Sequence, residues 1–323
     1  MSQLLEFGGS SNNPVFGSAS GPIETPFLRL QMSGNRTFWI KNEADQHGGS
    51  FKFRGPSAFL ARNKVKSGVV TTASTGNHAI GLSLAASNRN LVARIFVPTS
   101  TPERKLSAIR AAGGEITMVD GDYEEALRRA ELFAKDQDAV LVPSYDHDDI
   151  IAGNQQVFEE IKNTLDTTQK PVFVPIGGGG ILSAAIRSFD KMNTSIIGVE
   201  LDSHIRTSKI VWDGLKEIEL EHAQPEPSTE GIAIRCLGRI PQDTIRTARN
   251  LRLESVDVTE LKTACRMLWS ELGIRAELGG CASFACALRL IGSEHIGNEA
   301  ICVVTGGNID PVLHENILLS QNT

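Results

Sequence analysis

A chain of 323 residues is long enough to bury a full core and to divide into two lobes. With 41% hydrophobic and 22% charged residues it has the make-up of an ordinary globular protein, and a formal net charge of −6 without any basic run excludes a nucleic-acid surface. No apolar stretch approaches the roughly 18–20 residues that span a bilayer, so no membrane partner is expected.

The segment from Met1 to Gly21 is rich in Ser, Asn and Gly, lacks a signal-peptide pattern, and reads as a draped arm. Two β-like runs follow, Phe27–Leu30 and Thr37–Lys41. Gly48-Gly49 breaks the chain, and Ser50 is placed to cap a helix from about Phe51 to Lys66, with Pro56 tolerated near its first turn. From Gly68 the pattern alternates. Strands are predicted at Val69–Thr72, Val92–Val97, Ile116–Val119, Ala139–Val142, Val172–Pro175 and Ile196–Glu200. Between and after them come helices at Gly76–Ser87, Glu103–Ala112, Tyr123–Lys135, Asp149–Leu165, Ile181–Phe189 and Ser203–Leu215. Thr259–Leu272 and Ala282–Leu290 are further helices, and Ala300–Val304 is a last buried strand. Short apolar strands between amphipathic helices make an α/β fold with parallel sheets covered on both faces. The five cysteines include no C-x-x-C pair, which points to free thiols in a reducing cytoplasm and to no metal site.

Two stretches carry chemistry. Val172–Ile176 feeds directly into Gly177, Gly178, Gly179 and Gly180, and a helix follows. Strand, glycine turn and helix start together form an anion site, because unpaired N–H groups and the helix dipole both face the ligand. A plain tight turn would need one or two glycines, not four. A nicotinamide-dinucleotide unit is a rival, since Glu200 ends the next strand where a ribose-binding acid would sit. The G-x-G-x-x-G spacing fails there, because Leu182 occupies the third glycine position. The other stretch is Ser50-Phe51-Lys52-Phe53-Arg54-Gly55, which sets one amine among apolar neighbours. Lys52 could simply lie along an apolar surface. A cofactor with an aldehyde at one end and a phosphate at the other would use both stretches, and pyridoxal phosphate is such a molecule.

Ser50–Gly55, Ala73-Ser74-Thr75-Gly76-Asn77-His78, Pro175–Gly180 and Thr305-Gly306-Gly307-Asn308 fall in this order at strand–helix junctions. Together they resemble the fold-type-II pyridoxal-phosphate enzymes, in particular the serine/threonine dehydratase and serine racemase group, from about Thr25 to Asn308. The resemblance implies two open, mostly parallel twisted sheets flanked by helices, with the cofactor between the lobes. It implies a large domain of residues 1–47 and 147–323, a small mobile domain of residues 48–146, and a homodimer.

By that resemblance Lys52 is the Schiff-base lysine and the base near the substrate Cα, and Phe51 packs against the cofactor. Ser74, Thr75, Gly76, Asn77 and His78 form the carboxylate loop, with Asn77 also reaching the cofactor's phenolic oxygen. Read from residues alone, this segment is equally an ordinary helix cap, and His78 a packed histidine. Gly177–Gly180 match the phosphate cup. Thr305 matches the hydroxyl that meets the pyridine nitrogen, which suits elimination at Cβ because a hydroxyl does not hold that nitrogen protonated. Glu277 falls where dehydratases carry a Glu, although Leu278-Gly279-Gly280 replaces the usual Pro-Ala-Gly. Glu230 stands where many relatives have Asp, and Arg235 and Cys236 are not oxygen ligands for a cation. The activity implied is α,β-elimination from a β-hydroxy amino acid, giving a 2-oxo acid and ammonia. Thr75 keeps a hydroxyl where racemases of this family use a Ser as a second acid/base, so racemisation stays open. So do β-replacement, non-catalytic ligand binding and nicotinamide-dependent oxidoreduction.

Overall fold

The computed structural model describes residues 21–213, 226–234, 236–293 and 296–320. The strands are β1 (Phe27–Met32), β2 (Arg36–Asn42), β3 (Val69–Ala73), β4 (Val92–Pro98), β5 (Gly114–Val119), β6 (Val140–Leu141), β7 (Val172–Pro175), β8 (Ile196–Leu201), β9 (Leu251–Val256) and β10 (Glu299–Val304). The α-helices are α1 (Arg54–Arg62), α2 (Asn77–Ser87), α3 (Glu103–Ala111), α4 (Tyr123–Asp136), α5 (Asp148–Thr164), α6 (Gly180–Phe189), α7 (Thr207–Val211), α8 (Arg239–Thr247), α9 (Val258–Leu272), α10 (Ala282–Leu290) and α11 (Pro311–Leu319). No helix among the described residues is long and apolar enough to cross a membrane.

The chain forms two compact units. One holds Glu24–Asp45 and the chain from Gln155 on, around a six-stranded sheet in the order β1-β2-β10-β7-β8-β9. Only β1 runs antiparallel, paired with β2. β7, β8 and β10 are apolar along almost their whole length because helices cover both faces. Behind them α9 and α10 bring Leu261, Ala264, Cys265, Leu268 and Phe284 into the core. The other unit contains Gln46–Asn154 and a four-stranded, all-parallel sheet in the order β5-β4-β3-β6. Its central helix, α2, buries every residue from His78 to Ala86, as a helix that is apolar all round must.

Several elements differ from their sequence-based expectation. The helix after Ser50 begins as a 3-10 turn, Phe51–Phe53, and Ser50 makes no side-chain cap bond. It continues as α1 and stops at Arg62, not Lys66, where Asn63 turns extended and its amide bonds back to the Phe59 carbonyl. The helix expected over Ser203–Leu215 is broken into a 3-10 turn at Asp202–His204 and the short α7, with residues 214 and 215 outside the described residues. The arm from Met1 also lies outside them, except for Gly21. All five cysteines are free thiols, four of them buried and Cys236 half-buried.

Candidate functional site

The predicted residues fall into two groups, one in each unit. In the smaller unit, Lys52 sits in the 3-10 turn, half-buried, with Phe51 and Phe53 buried on either side. Its Nζ donates to the Ser144 carbonyl at 3.2 Å and stands 5.0 Å from the centroid of the Phe51 ring. Gly81 of α2 lies against the Lys52 backbone, where a Cβ would come within 2.6 Å of the Lys52 carbonyl oxygen. Glycine there lets α2 seat directly on the lysine turn.

The segment 74–77 follows β3 and opens α2, at the carboxyl end of a parallel strand where α/β sheets bind ligands. Ser74 Oγ accepts from the Gly76 N–H at 3.3 Å. Gly76 is the N-cap residue of α2, and no side chain caps the helix. Ser74 thus bonds the N–H of the N-cap residue itself, and the positive end of the α2 dipole faces this turn. The Thr75 hydroxyl has no partner among the described residues.

His78 is buried, with Nε2 at 3.1 Å from the Val142 carbonyl and Nδ1 unpartnered. Burial first, and then the Lys52 amine, push its pKa down to about 3, against the opposing Val142 contact. The ring is thus neutral near pH 7, and Nε2–H is the donor to Val142.

In the larger unit the chain leaves β7 through Ile176 and the four glycines into α6. Gly179 has φ +90°, and a Cβ on it would lie 2.6 Å from the Pro241 Cβ. A Cβ on Gly177 would collide with the Gly231 carbonyl oxygen. None of the four glycine N–H groups meets a protein acceptor among the described residues, and Gly179 supplies no side-chain cap to α6. Unpaired backbone donors at a buried helix start need a partner. N–H donors at a helix start suit an anion, and the phosphate end of pyridoxal phosphate is such a group.

Thr305 leaves β10, the parallel neighbour of β7, at the same end of the sheet. It is 6% exposed, and its hydroxyl has no partner among the described residues. The Glu277 N–H donates to the Gly306 carbonyl at 3.0 Å, so Glu277 is joined to the Thr305 turn. The Leu278–Cys281 3-10 turn needs its small residue: a Cβ on Gly280 would lie 2.6 Å from the Gly306 oxygen. Leu278, which takes the place of the usual proline, is fully buried in the core.

Glu200 does not serve as a ribose-binding acid. It is 2% exposed and accepts from Arg206 Nη1 at 3.1 Å and from the Thr207 hydroxyl at 2.7 Å. Its carboxylate is committed inside the protein, which removes the dinucleotide reading. Nothing in the sequence singles out Arg206. Buried arginine has no local pattern, although a strand-end acid followed six and seven residues on by Arg and Thr is the combination that encloses it here.

Comparison with known proteins settles the family. The model of the pyridoxal-phosphate dependent enzymes matches residues 19–307. The chain belongs to this family. Pyridoxal phosphate is accordingly its cofactor, and Lys52, Gly177–Gly180 and Thr305 all lie within the matched span. The chain is 32% identical to the biosynthetic L-threonine dehydratase IlvA of Lactococcus lactis, over 88% of its own length and 69% of that relative's. It is 31% identical to an L-threo-3-hydroxyaspartate ammonia-lyase from a Pseudomonas species, over 96% of this chain and 94% of that one. It spans about half the length of two plant threonine dehydratases that it also matches. Among solved structures, the processed form of threonine deaminase isoform 2 from Solanum lycopersicum superposes with a TM-score of 0.82 at 25% identity, covering 94% of this chain and 90% of that chain.

Proposed function

We propose that this pyridoxal-phosphate enzyme is an ammonia-lyase. It eliminates the β-hydroxyl of a small β-hydroxy amino acid and yields a 2-oxo acid and ammonia. One observation carries the reading. The end of β10 presents the hydroxyl of Thr305, not a carboxylate, where the resemblance puts the pyridine nitrogen. That nitrogen is then not held protonated, and elimination at Cβ is favoured over chemistry that needs a long-lived carbanion. The dehydratases and ammonia-lyases among its relatives support the same reaction class.

When bound, the cofactor supplies the electron sink that makes the substrate Cα–H acidic. The rest is assigned to the chain. Gly177–Gly180 would hold the phosphate through their N–H groups, Phe51 and Asn77 would contact the ring, and Glu277 steadies the Thr305 turn through Gly306. Lys52 would hold the cofactor aldehyde and, as a free amine, would take the substrate Cα proton. The start of α2, Ser74 to Asn77 followed by His78, binds the substrate carboxylate. The proton taken from Cα leaves with the β-hydroxyl as water, and the released enamine takes up one water to give oxo acid and ammonia. The smaller unit is read as mobile, the assembly as a homodimer and the compartment as the cytoplasm, the last supported by five cysteines that form no disulfide.

A second reading rests on Thr75. Its hydroxyl neither caps α2 nor has a partner among the described residues, so it is free to act as an acid/base in racemisation. Incubation of the purified protein with L-serine, L-threonine and a 3-hydroxyaspartate separates the two. The expected outcome is equimolar oxo acid and ammonia. Racemised substrate without oxo acid makes the protein a racemase, and turnover only of O-acetylserine with an added nucleophile makes it a β-replacement enzyme.

A further inference from the structure

Arg206 is fully buried, and one arm of its guanidinium is given to the turn that precedes α6. Nη2 donates to the Ile176 carbonyl at 3.1 Å and to the Gly177 carbonyl, while Nη1 donates to Glu200 at 3.1 Å and to the His204 carbonyl at 3.1 Å. Glu200 in turn accepts from the N–H groups of Arg206 and Thr207, which fixes the guanidinium from behind. The pair is neutral overall, so its effect on the loop is one of orientation, not of net charge.

That orientation has a definite consequence. In a trans peptide the carbonyl and the next N–H point in opposite directions. With the Ile176 and Gly177 carbonyls drawn to Arg206, the N–H groups of Gly177 and Gly178 face away from it. The Gly178 carbonyl is similarly taken by the Gly238 N–H at 3.2 Å, which turns the Gly179 N–H outward. Three successive carbonyls are thereby held by the protein, and the N–H of each following residue is turned away from the carbonyl's partner before any ligand arrives. We infer that Arg206, locked by Glu200, is a positioning residue that presets the glycine loop for a phosphate group. This inference rests on the pyridoxal-phosphate reading and assigns its phosphate affinity to a pair outside the loop.

The fork geometry is the essential feature, because one planar guanidinium reaches two carbonyls and a carboxylate at once. Arg206→Lys keeps the buried charge and one contact but cannot span both carbonyls. Arg206→Met combined with Glu200→Gln removes the pair without leaving an unpaired buried charge. Apoprotein of wild type and both variants is titrated with pyridoxal 5′-phosphate and, separately, with pyridoxal, following the cofactor absorbance. For both variants, affinity for the phosphorylated compound is expected to fall roughly tenfold or more, with pyridoxal affinity unchanged. Equal weakening toward both compounds marks a general folding role and overturns the inference, as does an unchanged affinity for the phosphate. A wild-type protein that fails to take up pyridoxal 5′-phosphate overturns the inference and the cofactor reading together. A wild-type protein that loads normally beside variants that also load normally overturns the inference alone.

Discussion

The glycine loop after β7 and the Ser74–Asn77 loop after β3 are built on one plan: a buried parallel strand, a short turn and a helix whose start lacks a side-chain cap. They differ in what holds them. At the first, Gly177 and Gly179 are pressed against Gly231 and Pro241, and Arg206 grips two carbonyls. At the second, a Cβ on Gly76 would meet no protein atom within 4 Å, and Ser74 Oγ accepts from the Gly76 N–H. An anion site can therefore be rigid by construction or left open for its ligand to complete. The rigid loop suits a cofactor that stays, and the open one suits a substrate that comes and goes.

The largest expected effect touches neither loop but the proposed Schiff-base amine, Lys52. On the proposed roles of Lys52, Lys52→Ala removes the base and the covalent tether, and turnover should fall by about a thousandfold or more. The visible absorbance band of the holoenzyme should vanish, and borohydride should no longer fix cofactor to the chain. A coloured, active Lys52→Ala protein would end the lyase reading. Next comes the rigid loop. Gly177→Ala places a methyl against the Gly231 carbonyl, a backbone neighbour that cannot swing aside. A loss of about 1–3 kcal/mol in stability is expected, with weakened cofactor retention, measurable by chemical denaturation and by dialysis. An unperturbed variant would show that the loop is not clamped.

His78 gives a smaller and pH-dependent effect. Its folded pKa lies at about 3, below the ordinary histidine value of 6.5, so between those limits the unfolded chain binds more protons than the folded one. Stability contributed by the neutral ring is therefore complete above pH 6.5 and is lost as pH falls toward 3, by up to about 1.4 kcal/mol per pH unit. His78→Phe should be less stable at pH 7, since the Val142 carbonyl loses its donor, but should show a shallower decline with acid. Denaturation midpoints at pH 7, 6, 5 and 4 check this, and parallel slopes for both proteins would contradict it.

What sequence could reveal of this molecule follows from how local each signal is. Strand β7 and its glycines are legible because apolar run and turn lie side by side in the chain. α11 carries signals just as local, with Asp310 accepting from Val312 and Leu313 and Pro311 at its first position, yet no helix is expected there once β10 is taken as the end of the fold. β9 is not legible, because Leu251–Val256 is an edge strand with a charged, half-exposed face and takes its conformation from pairing with β8. α7 fails for a different reason. The chain after β8 is bent so that Arg206 and Thr207 can reach the Glu200 carboxylate, and a helix from Ser203 cannot form at the same time. The same distant partnership explains the misreading of Glu200 and the silence of Arg206. Lys52 and Thr305 stand out only as parts of an ordered set of motifs, since a lone lysine or threonine carries no signal of its own.

The smallest effect on the fold sharpens the contrast most. Gly76 has φ −131° and ψ −145°, which does not demand glycine, and an alanine methyl there would touch no protein atom. Gly76→Ala should therefore leave stability within about 0.5 kcal/mol of wild type, or raise it slightly by restricting the unfolded chain. Cofactor binding and absorbance should not change, because the phosphate is assigned to the other loop. If the Ser74–Asn77 backbone closes on the substrate carboxylate, the added methyl intrudes only when substrate is present, and KM should rise by about tenfold with a smaller change in kcat. A stable, fully loaded variant with raised KM would separate the two loops by function as cleanly as the structure separates them by packing. A normal KM would take the carboxylate away from this turn, and a destabilised variant would mean that the open loop is as tightly packed as the closed one.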